Sequence, residues 1–408
     1  MTERIAIIGG GIAGLTAAHL LGEKYAITVF EKDGRLGGNA YTLDTRDREE
    51  IDISVFAFNS VSYPNFFKLL SRLGIEVARF GISGVTATSY DLDTHRASYF
   101  APFSLRSLTP GRLRTSFRFY SGMKRSIRLL EEGRLEGLSM ADAMKLVPDL
   151  KGDAYLQLIF ALCLASSMHY DEVMAAPATF FVEKLRDHFA PGPTTFRYTP
   201  RRTRSYVEAL SRSFRDRTVL FARIRRVART ETSITLQMED GQAQVFDKVI
   251  FACNADQALA LLDEPTNSEQ RLLGAWKYTD GLVVVHRDDT SFPPPGLRAL
   301  YEYMYTNQNG KIETSINACY RFQPGVSASN DLLGTQHPNF PIREDRIEFQ
   351  KTFRTPIFDT ESVKTIPELP SLNGTMNTFY CGSHFGHGLH EDAVSSAAAV
   401  ARQLGVQW

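Results

Sequence analysis

One short stretch constrains this chain more than anything else in it. Gly9-Gly10-Gly11-Ile12-Ala13-Gly14 lies between an apolar run and a stretch rich in alanine and leucine. Arg4-Ile-Ala-Ile-Ile-Gly9 reads as a buried strand, and Ile12 to Leu21 reads as a helix. In a G-x-G-x-x-G loop at such a junction, Gly9 permits the tight turn out of the strand. Gly11 lets backbone approach a pyrophosphate, and Gly14 lets the helix lie close on the strand. The pyrophosphate then meets the free N–H groups and the positive dipole end at the helix start, Ile12 and Ala13. Ala26-Ile-Thr-Val-Phe-Glu31 is the second strand. Glu31 closes it about 20 residues on, where an acid accepts from the adenosine ribose hydroxyls and disfavours a 2′-phosphate. The chain therefore opens as a βαβ unit built for a dinucleotide.

The rest of the composition narrows the class. At 408 residues the chain is too long for one ordinary core and suits two closely packed domains. Lysine plus arginine equals aspartate plus glutamate, 46 each, so no basic field draws nucleic acid, and none is expected as a partner. Cys163, Cys253, Cys319 and Cys381 are scattered with no C-x-x-C pair, which argues against disulfides, a zinc site and a dithiol centre. Free cysteines of this kind suit a reducing, cytoplasmic setting. The apolar stretch Ile5 to Leu21 resembles an export signal only superficially, because its glycines mark a strand, a loop and a helix. No other run approaches the ~18–20 apolar residues that span a bilayer, so the expectation is a soluble protein, peripheral at most.

Periodicity divides the chain further. From about Pro64 to His188 the pattern is mainly helical, with apolar residues recurring at three and four in Asn65–Leu73, Leu113–Leu130, Met140–Val147 and Tyr155–Ser166. Strands are expected at Val219–Val227, Ser233–Met238 and Val245–Ala252, with Asp240-Gly241 as a hairpin turn. A strand-rich block runs from Gly281 to about Phe353. Thr378-Phe-Tyr-Cys381 is a last strand, followed by a Gly- and His-rich loop and an alanine-rich helix, Ala393–Leu404. The expected fold is α/β, with a discontinuous Rossmann-like nucleotide domain (1–75, 200–265 and 370–408) and a second α+β substrate domain (76–199 and 266–369).

Just past Glu31 and Lys32 comes Arg35-Leu-Gly37-Gly38-Asn39. This continuation resembles the R-x-G-G signature of the flavin-dependent amine oxidase superfamily, which takes in monoamine and polyamine oxidases, protoporphyrinogen oxidase, phytoene desaturases and a polyunsaturated fatty acid isomerase. The nearest resemblance is to an amine-oxidase-like branch of predicted FAD/NAD-binding oxidoreductases. It extends along much of the chain. Asp52-Ile-Ser54-Val55 is similar to the segment beside the flavin ring. Ala222-Arg-Ile224-Arg-Arg-Val227 is similar to the strand that touches adenine through Ile224. Cys381-Gly382-Ser383 and Gly388-Leu-His390-Glu391-Asp392 are similar to the second flavin loop and its helix start. The resemblance implies non-covalent FAD, with Arg35 adding a charge-assisted contact to the pyrophosphate. His384, His387 and His390 lack a carboxylate or thiolate at ligand spacing, so no metal is expected.

The chain also departs from that pattern. Pro200-Arg-Arg202-Thr203-Arg204 replaces a Gly-Gly-Ser loop, which places charge near the cofactor or the entrance. The strand Tyr278–Val285 lacks the lysine that amine oxidases commonly aim at the flavin. There is no second G-x-G-x-x-G for a nicotinamide reductant. The expected activity is removal of a hydride from a lipid-like or otherwise apolar small substrate, with electrons passing to oxygen or another acceptor. The alternatives are a redox-neutral double-bond isomerase of unsaturated fatty acids and a flavin-binding accessory protein without turnover. No residue is assigned as the catalytic acid or base.

Two features bear on substrate. On the helix at Leu113–Leu130, Leu113, Phe117, Tyr120, Ile127 and Leu130 share one face, beside a basic face of Arg114, Arg118, Arg125 and Arg128, with Lys124 nearby. This 112–128 basic helix is either a core helix with a solvated face or a contact for a membrane surface or an acyl carrier. Tyr301, Tyr303 and Tyr305 alternate onto one strand face, as core or as the wall of an apolar pocket, and Tyr320 lies in the same strand-rich block.

Overall fold

The fold, given by a computed structural model, is described for residues 2–79, 87–100, 109–189 and 196–408. The opening strand Arg4–Ile8 lies at the centre of a five-stranded parallel sheet. The order is Thr218–Val219, Ala26–Phe30, Arg4–Ile8, Lys248–Phe251, Thr378–Tyr380. From Ile5 to Ile8 the opening strand is apolar and buried because both faces are covered. Ile5 and Ile7 face a core shared with the helices Ile12–Leu21 and His390–Gln403. Ala6 and Ile8 face the opposite core, which includes Leu236 and Phe246 of an antiparallel sheet formed by Ile224–Arg229, Ile234–Met238 and Ala243–Phe246. The two helices can pack closely because alanines meet between them: Ala17 and Ala18 on one, Ala393, Ala397 and Ala401 on the other.

A second, seven-stranded sheet runs in the order Ile347–Ile357, Lys277–His286, Leu333–Gln336, Lys311–Cys319, Tyr301–Gln308, Ala87–Asp91, Arg96–Phe100. All its pairings are antiparallel except that of Tyr301–Gln308 with Ala87–Asp91. The helix Asp153–Ser166 lies on one face of this sheet, with Phe160 against Tyr303 and Tyr305 at ring-centroid distances of 5.4 and 5.5 Å. The helices Pro110–Glu131 and Ala178–Phe189 pack outside it.

Several expectations need correcting. The expected strand Val219–Val227 is two strands in different sheets, Thr218–Val219 and Ile224–Arg229. The corner between them is Phe221, at φ +55°. Val245–Ala252 likewise divides into Ala243–Phe246 and Lys248–Phe251. A run of β-favouring residues carries no mark of the corner at which it changes sheets. The middle section also holds a hairpin, Ala87–Asp91 with Arg96–Phe100, which a helical reading of the region misses. The helix Pro110–Glu131 buries a different face from the one expected: Phe119, Gly122, Met123, Ser126 and Leu129 are buried, while Leu113 and Phe117 are 49% and 73% exposed. Apolar residues occur on both sides of this helix, so spacing alone does not say which side turns inward. The four cysteines are free, and Cys163, Cys319 and Cys381 are buried.

Candidate dinucleotide and substrate site

A cavity of about 690 Å³ begins where Arg4–Ile8 and Ala26–Phe30 end, and its far wall is the seven-stranded sheet. Open parallel sheets take ligands at this place, beyond the carboxyl ends of their strands. Gly9, Gly11, Ile12, Ala13, Glu31, Lys32, Gly37, Gly38, Asn39, Ser54, Ile224, Gly382, Ser383 and His390 line the cavity together, whereas Gly14, Arg35 and Glu391 do not.

The glycines answer to different demands. Gly9 sits at φ +114°, and a Cβ there would lie 2.7 Å from the Ala252 carbonyl oxygen. A Cβ on Gly14 would lie 1.9 Å from the Gly9 oxygen, so the close packing of helix on strand requires glycine. Gly11 is different. It is extended at φ −74°, and a Cβ there would meet no protein atom within 4 Å. No protein contact requires glycine at this position, and the open space lies at the N-terminus of the helix Ile12–Leu21. That terminus, with its unpaired N–H groups, is a ready anion site.

The acid of the motif is already engaged. Glu31 Oε2 accepts from the Gly10 N–H at 2.7 Å and Oε1 from the Asp33 N–H at 2.9 Å. A carboxylate has about four acceptor positions, so capacity for a ribose hydroxyl remains. The R-x-G-G segment is joined to the glycine loop by the Gly37 N–H donating to the Gly10 oxygen at 2.8 Å. Within it, Arg35 Nη1 donates to the oxygens of Leu36 and Ala40, Nη2 donates to that of Gly38, and the guanidinium stacks 3.8 Å from the Tyr41 ring centroid. Burial lowers its pKa. Arg35 thus braces the loop from behind rather than facing the cavity as expected from the resemblance. Glu391 also acts away from the cavity. Its carboxylate accepts from the backbone N–H of Asn65 and Phe66 and from Asn65 Nδ2, which ties the start of His390–Gln403 to the start of Pro64–Arg72.

Sequence reasoning missed other supports. Asp52 accepts from Thr42 Oγ1 at 2.7 Å, from Thr203 Oγ1 at 2.8 Å and from the Thr203 N–H. Burial raises its pKa while these bonds oppose the shift. It anchors the strand that leads into Ile53, Ser54 and Val55 on the cavity wall. The arginines expected to charge the entrance do not line the cavity. Arg202 Nη1 donates to the Pro324 oxygen, and Arg204 pairs with Asp44 and Glu50. Lys351, on the strand paired with Lys277–His286, does line the cavity, but it is held 3.2 Å from Asp33 beside the nucleotide loop. Its signal lay on the partner strand, which sequence cannot pair in advance.

The loop after Thr378–Tyr380 carries three histidines. His384 and His390 are pushed down by burial to about 3 and about 4. His387, lowered by burial and by nearby Lys184 and Arg186, lies at about 4. All three are therefore neutral near pH 7. His384 Nε2 and His387 Nδ1 are buried, and each lacks a hydrogen-bond partner among the described residues. His390 Nε2 lies 3.2 Å from the Tyr206 hydroxyl. Beneath the loop, fully buried Lys184 donates to the His387 oxygen at 2.9 Å, and burial lowers its pKa to about 8. Ser396 Oγ accepts from the Gly382 N–H at 3.0 Å, holding the helix against the loop.

The far part of the cavity differs in chemistry. Its walls include Leu164 and Ser166 from the end of one helix, Tyr301, Ile316, Gln336 and Phe353 from the large sheet, and Tyr320 from the turn that follows the strand Lys311–Cys319. Of the aligned tyrosines, Tyr301 reaches the cavity and stacks on Phe56, while Tyr303 and Tyr305 pack on Phe160. The charged residues of the lining are Glu31, Lys32, Asp33, Arg223, Glu239, Lys351 and Arg354. All but Arg354 cluster around the nucleotide loop, and Arg354 is paired with Asp256 and Asp280. Among the described residues, no three His, Cys, Asp or Glu side chains come together as a metal site.

Comparison with known proteins agrees with this geometry. Residues 7–73 match the NAD(P)-binding Rossmann-like domain family. The chain superposes on a CLA-producing fatty acid isomerase from P. acnes with a TM-score of 0.66, at 15% identity, covering 98% of each chain. It superposes on cyclohexylamine oxidase from Brevibacterium oxydans IH-35A with a TM-score of 0.69, at 13% identity, covering 99% of this chain and 100% of that one. Putrescine oxidase bound to putrescine gives 0.66 at 13% identity, with 100% of each chain covered. An N-terminal Rossmann-like dinucleotide-binding domain thus sits within a chain that has, over nearly its whole length, the amine-oxidase fold that these proteins share.

Proposed function

We propose that this chain is an FAD-dependent oxidoreductase that takes a hydride from an uncharged, largely apolar small substrate. The observation that carries the reading is the division of the cavity. One end has glycine loops, a helix N-terminus and a buried acid, and the other has apolar and neutral polar walls. The residues fit FAD on three counts: the open space at Gly11, the spare acceptor capacity of Glu31, and the unpartnered nitrogens of His384 and His387. Glu31 and Ile224 would hold the adenosine, Gly11 to Ala13 the pyrophosphate, and Ser54, Gly382, Ser383 and His390 the flavin. Cys381 is buried and does not line the cavity, which supports non-covalent binding.

Bound FAD supplies the hydride acceptor. The chain's own residues orient the substrate and exclude water. Tyr320 and Gln336 offer uncharged hydrogen-bonding groups, and Ile316, Phe353 and Leu164 shield the C–H bond to be broken. A permanently charged head group would find no unpaired countercharge among the described residues of that end. Neutral His384 and His387 would exchange hydrogen bonds at the flavin end without placing a charge in the cavity.

A second reading, redox-neutral isomerisation of a double bond, is favoured by the shared fold with the fatty acid isomerase. Anaerobic mixing with uncharged unsaturated lipids and with amines separates the two. Lasting bleaching of the visible flavin band, with oxidised product, is the expected outcome. Product without lasting bleaching favours the isomerase. Purification without FAD and failure to take it up would sink both.

A further inference from the structure

The basic helix Pro110–Glu131 has an outward face that the proposed chemistry leaves unused. Its inward face, with Phe119, Met123, Ser126 and Leu129 buried, packs on the helices Asp153–Ser166 and Ala178–Phe189. At about 100° per residue, Leu113, Phe117, Lys124 and Arg128 fall within about 60° of one another on the opposite side. Arg114 and Arg125 continue that side. Leu113 is 49% and Phe117 73% exposed, and they stand one turn apart. Phe117 in particular holds a large apolar ring in water, which a helix anchored by its other face does not need for folding.

The cations beside them are scarcely paired among the described residues. Arg125 makes one long contact, 3.9 Å, with highly exposed Asp149. Arg114, Lys124 and Arg128 have no ion pair among the described residues. This clustering is local, since the whole chain is electrically balanced at 46 charges of each sign. Apolar tips flanked by unpaired cations on one helix face complement an anionic lipid surface. The apolar groups enter the acyl boundary while Lys and Arg meet headgroup charge. No helix among the described residues is long and apolar enough to cross a membrane, so the contact would lie in the interface plane.

We propose that the outward face of Pro110–Glu131 docks this protein on anionic membranes, with Leu113 and Phe117 inserting and Arg114, Lys124, Arg125 and Arg128 binding headgroups. The placement suits an apolar substrate. The helix Asp153–Ser166, against which the docking helix packs, ends in Leu164 and Ser166 on the cavity wall. Docking sets that wall one helix layer from the lipid. An acidic acyl carrier protein would use the cations but has no need of two projecting apolar side chains, so the membrane is the better match.

The test uses the full flavin-loaded chain and sedimentation with vesicles of phosphatidylcholine, with or without phosphatidylglycerol. Binding is expected only to the phosphatidylglycerol vesicles, and it should weaken as salt shortens the reach of the charges. Each substituted side chain is exposed, so Leu113→Ser/Phe117→Ser and Lys124→Gln/Arg128→Gln should keep flavin content and melting temperature. Loss of two cations should weaken vesicle binding by about 30-fold. The apolar double variant should lose retention at moderate salt. No binding to anionic vesicles at low salt overturns the proposal. So does binding that survives both double variants, or binding to an acidic carrier protein without any to vesicles.

Discussion

At the scale of single residues, two glycines of one motif make separable predictions. Gly11 faces empty space, so Gly11→Val should leave folding stability within about 0.5 kcal/mol of the FAD-free parent while abolishing FAD retention, because the new side chain occupies the ligand's approach. A Cβ added to Gly14 would lie 1.9 Å from the Gly9 oxygen. Gly14→Ala should therefore cost about 1–3 kcal/mol through overpacking, whatever happens to the cofactor. Melting temperature and flavin absorbance measured together on the two variants check the distinction, and equal destabilisation by both would show that Gly11 also serves packing. These roles were legible in sequence because strand, loop, helix and acid lie within one short run, and local chemistry dictates each. Arg35 and Glu391 were legible as positions but not as contacts. Arg35 turns back on its own loop, and Glu391 reaches Phe66 across 325 residues. Which of several donors a charged group will meet depends on tertiary placement, which spacing in sequence does not encode.

Elements show the same limit and a different kind of support. The helix Asn267–Gly274 begins with a capping box in which Thr266 and Glu269 bond reciprocally. The same Glu269 carboxylate receives Arg229 from the strand Ile224–Arg229, at 2.9 Å to one oxygen, and the Tyr380 hydroxyl from the strand Thr378–Tyr380. Both charged side chains are 2% exposed. Burial alone would raise the carboxyl pKa, but the bonds from Arg229, Tyr380 and Thr266 outweigh it and hold Glu269 at about 2. A folded pKa below the unfolded value stabilises the fold above about pH 4.3, and the effect is lost as pH falls from there towards 2. The amount is on the order of 3 kcal/mol. Glu269→Gln leaves Arg229 buried without a countercharge, so it should cost about 3–5 kcal/mol at neutral pH and flatten the acid limb of the stability curve. Denaturant midpoints between pH 2 and 7 for both proteins test this, and parallel curves would refute it. The capping box is local, within Thr266 to Glu269, whereas its junction role joins strands that are far apart in sequence. The corner at Phe221 and the inward face of Pro110–Glu131 escaped for a related reason: local propensity favours a strand or a helix there without saying where it turns or which side faces in.

For the whole molecule, the cavity is the seam between two sheets that the chain builds in alternation. The parallel sheet takes strands from residues 4–30, 218–219, 248–251 and 378–380, and the large sheet takes most of its strands from 277–357. A ligand in that seam touches the glycine loop, the segment Ile53–Val55, the large sheet and the loop at Gly382 at once. A ligand that binds only the native state stabilises it by RT ln(1 + [L]/Kd), about 2.7 kcal/mol at a hundredfold excess over Kd. Removing FAD by mild chaotrope and dialysis should therefore lower the melting temperature by several degrees, and adding FAD back should restore it in proportion to the logarithm of its concentration. Because both sheets line the seam, the holoprotein should melt in a single transition rather than two. Gly11→Val supplies the control, since its melting temperature should match that of the apoprotein and stay there when FAD is added. A parent protein whose melting temperature ignores FAD, or a Gly11→Val variant that responds as the parent does, would place the dinucleotide somewhere other than this seam.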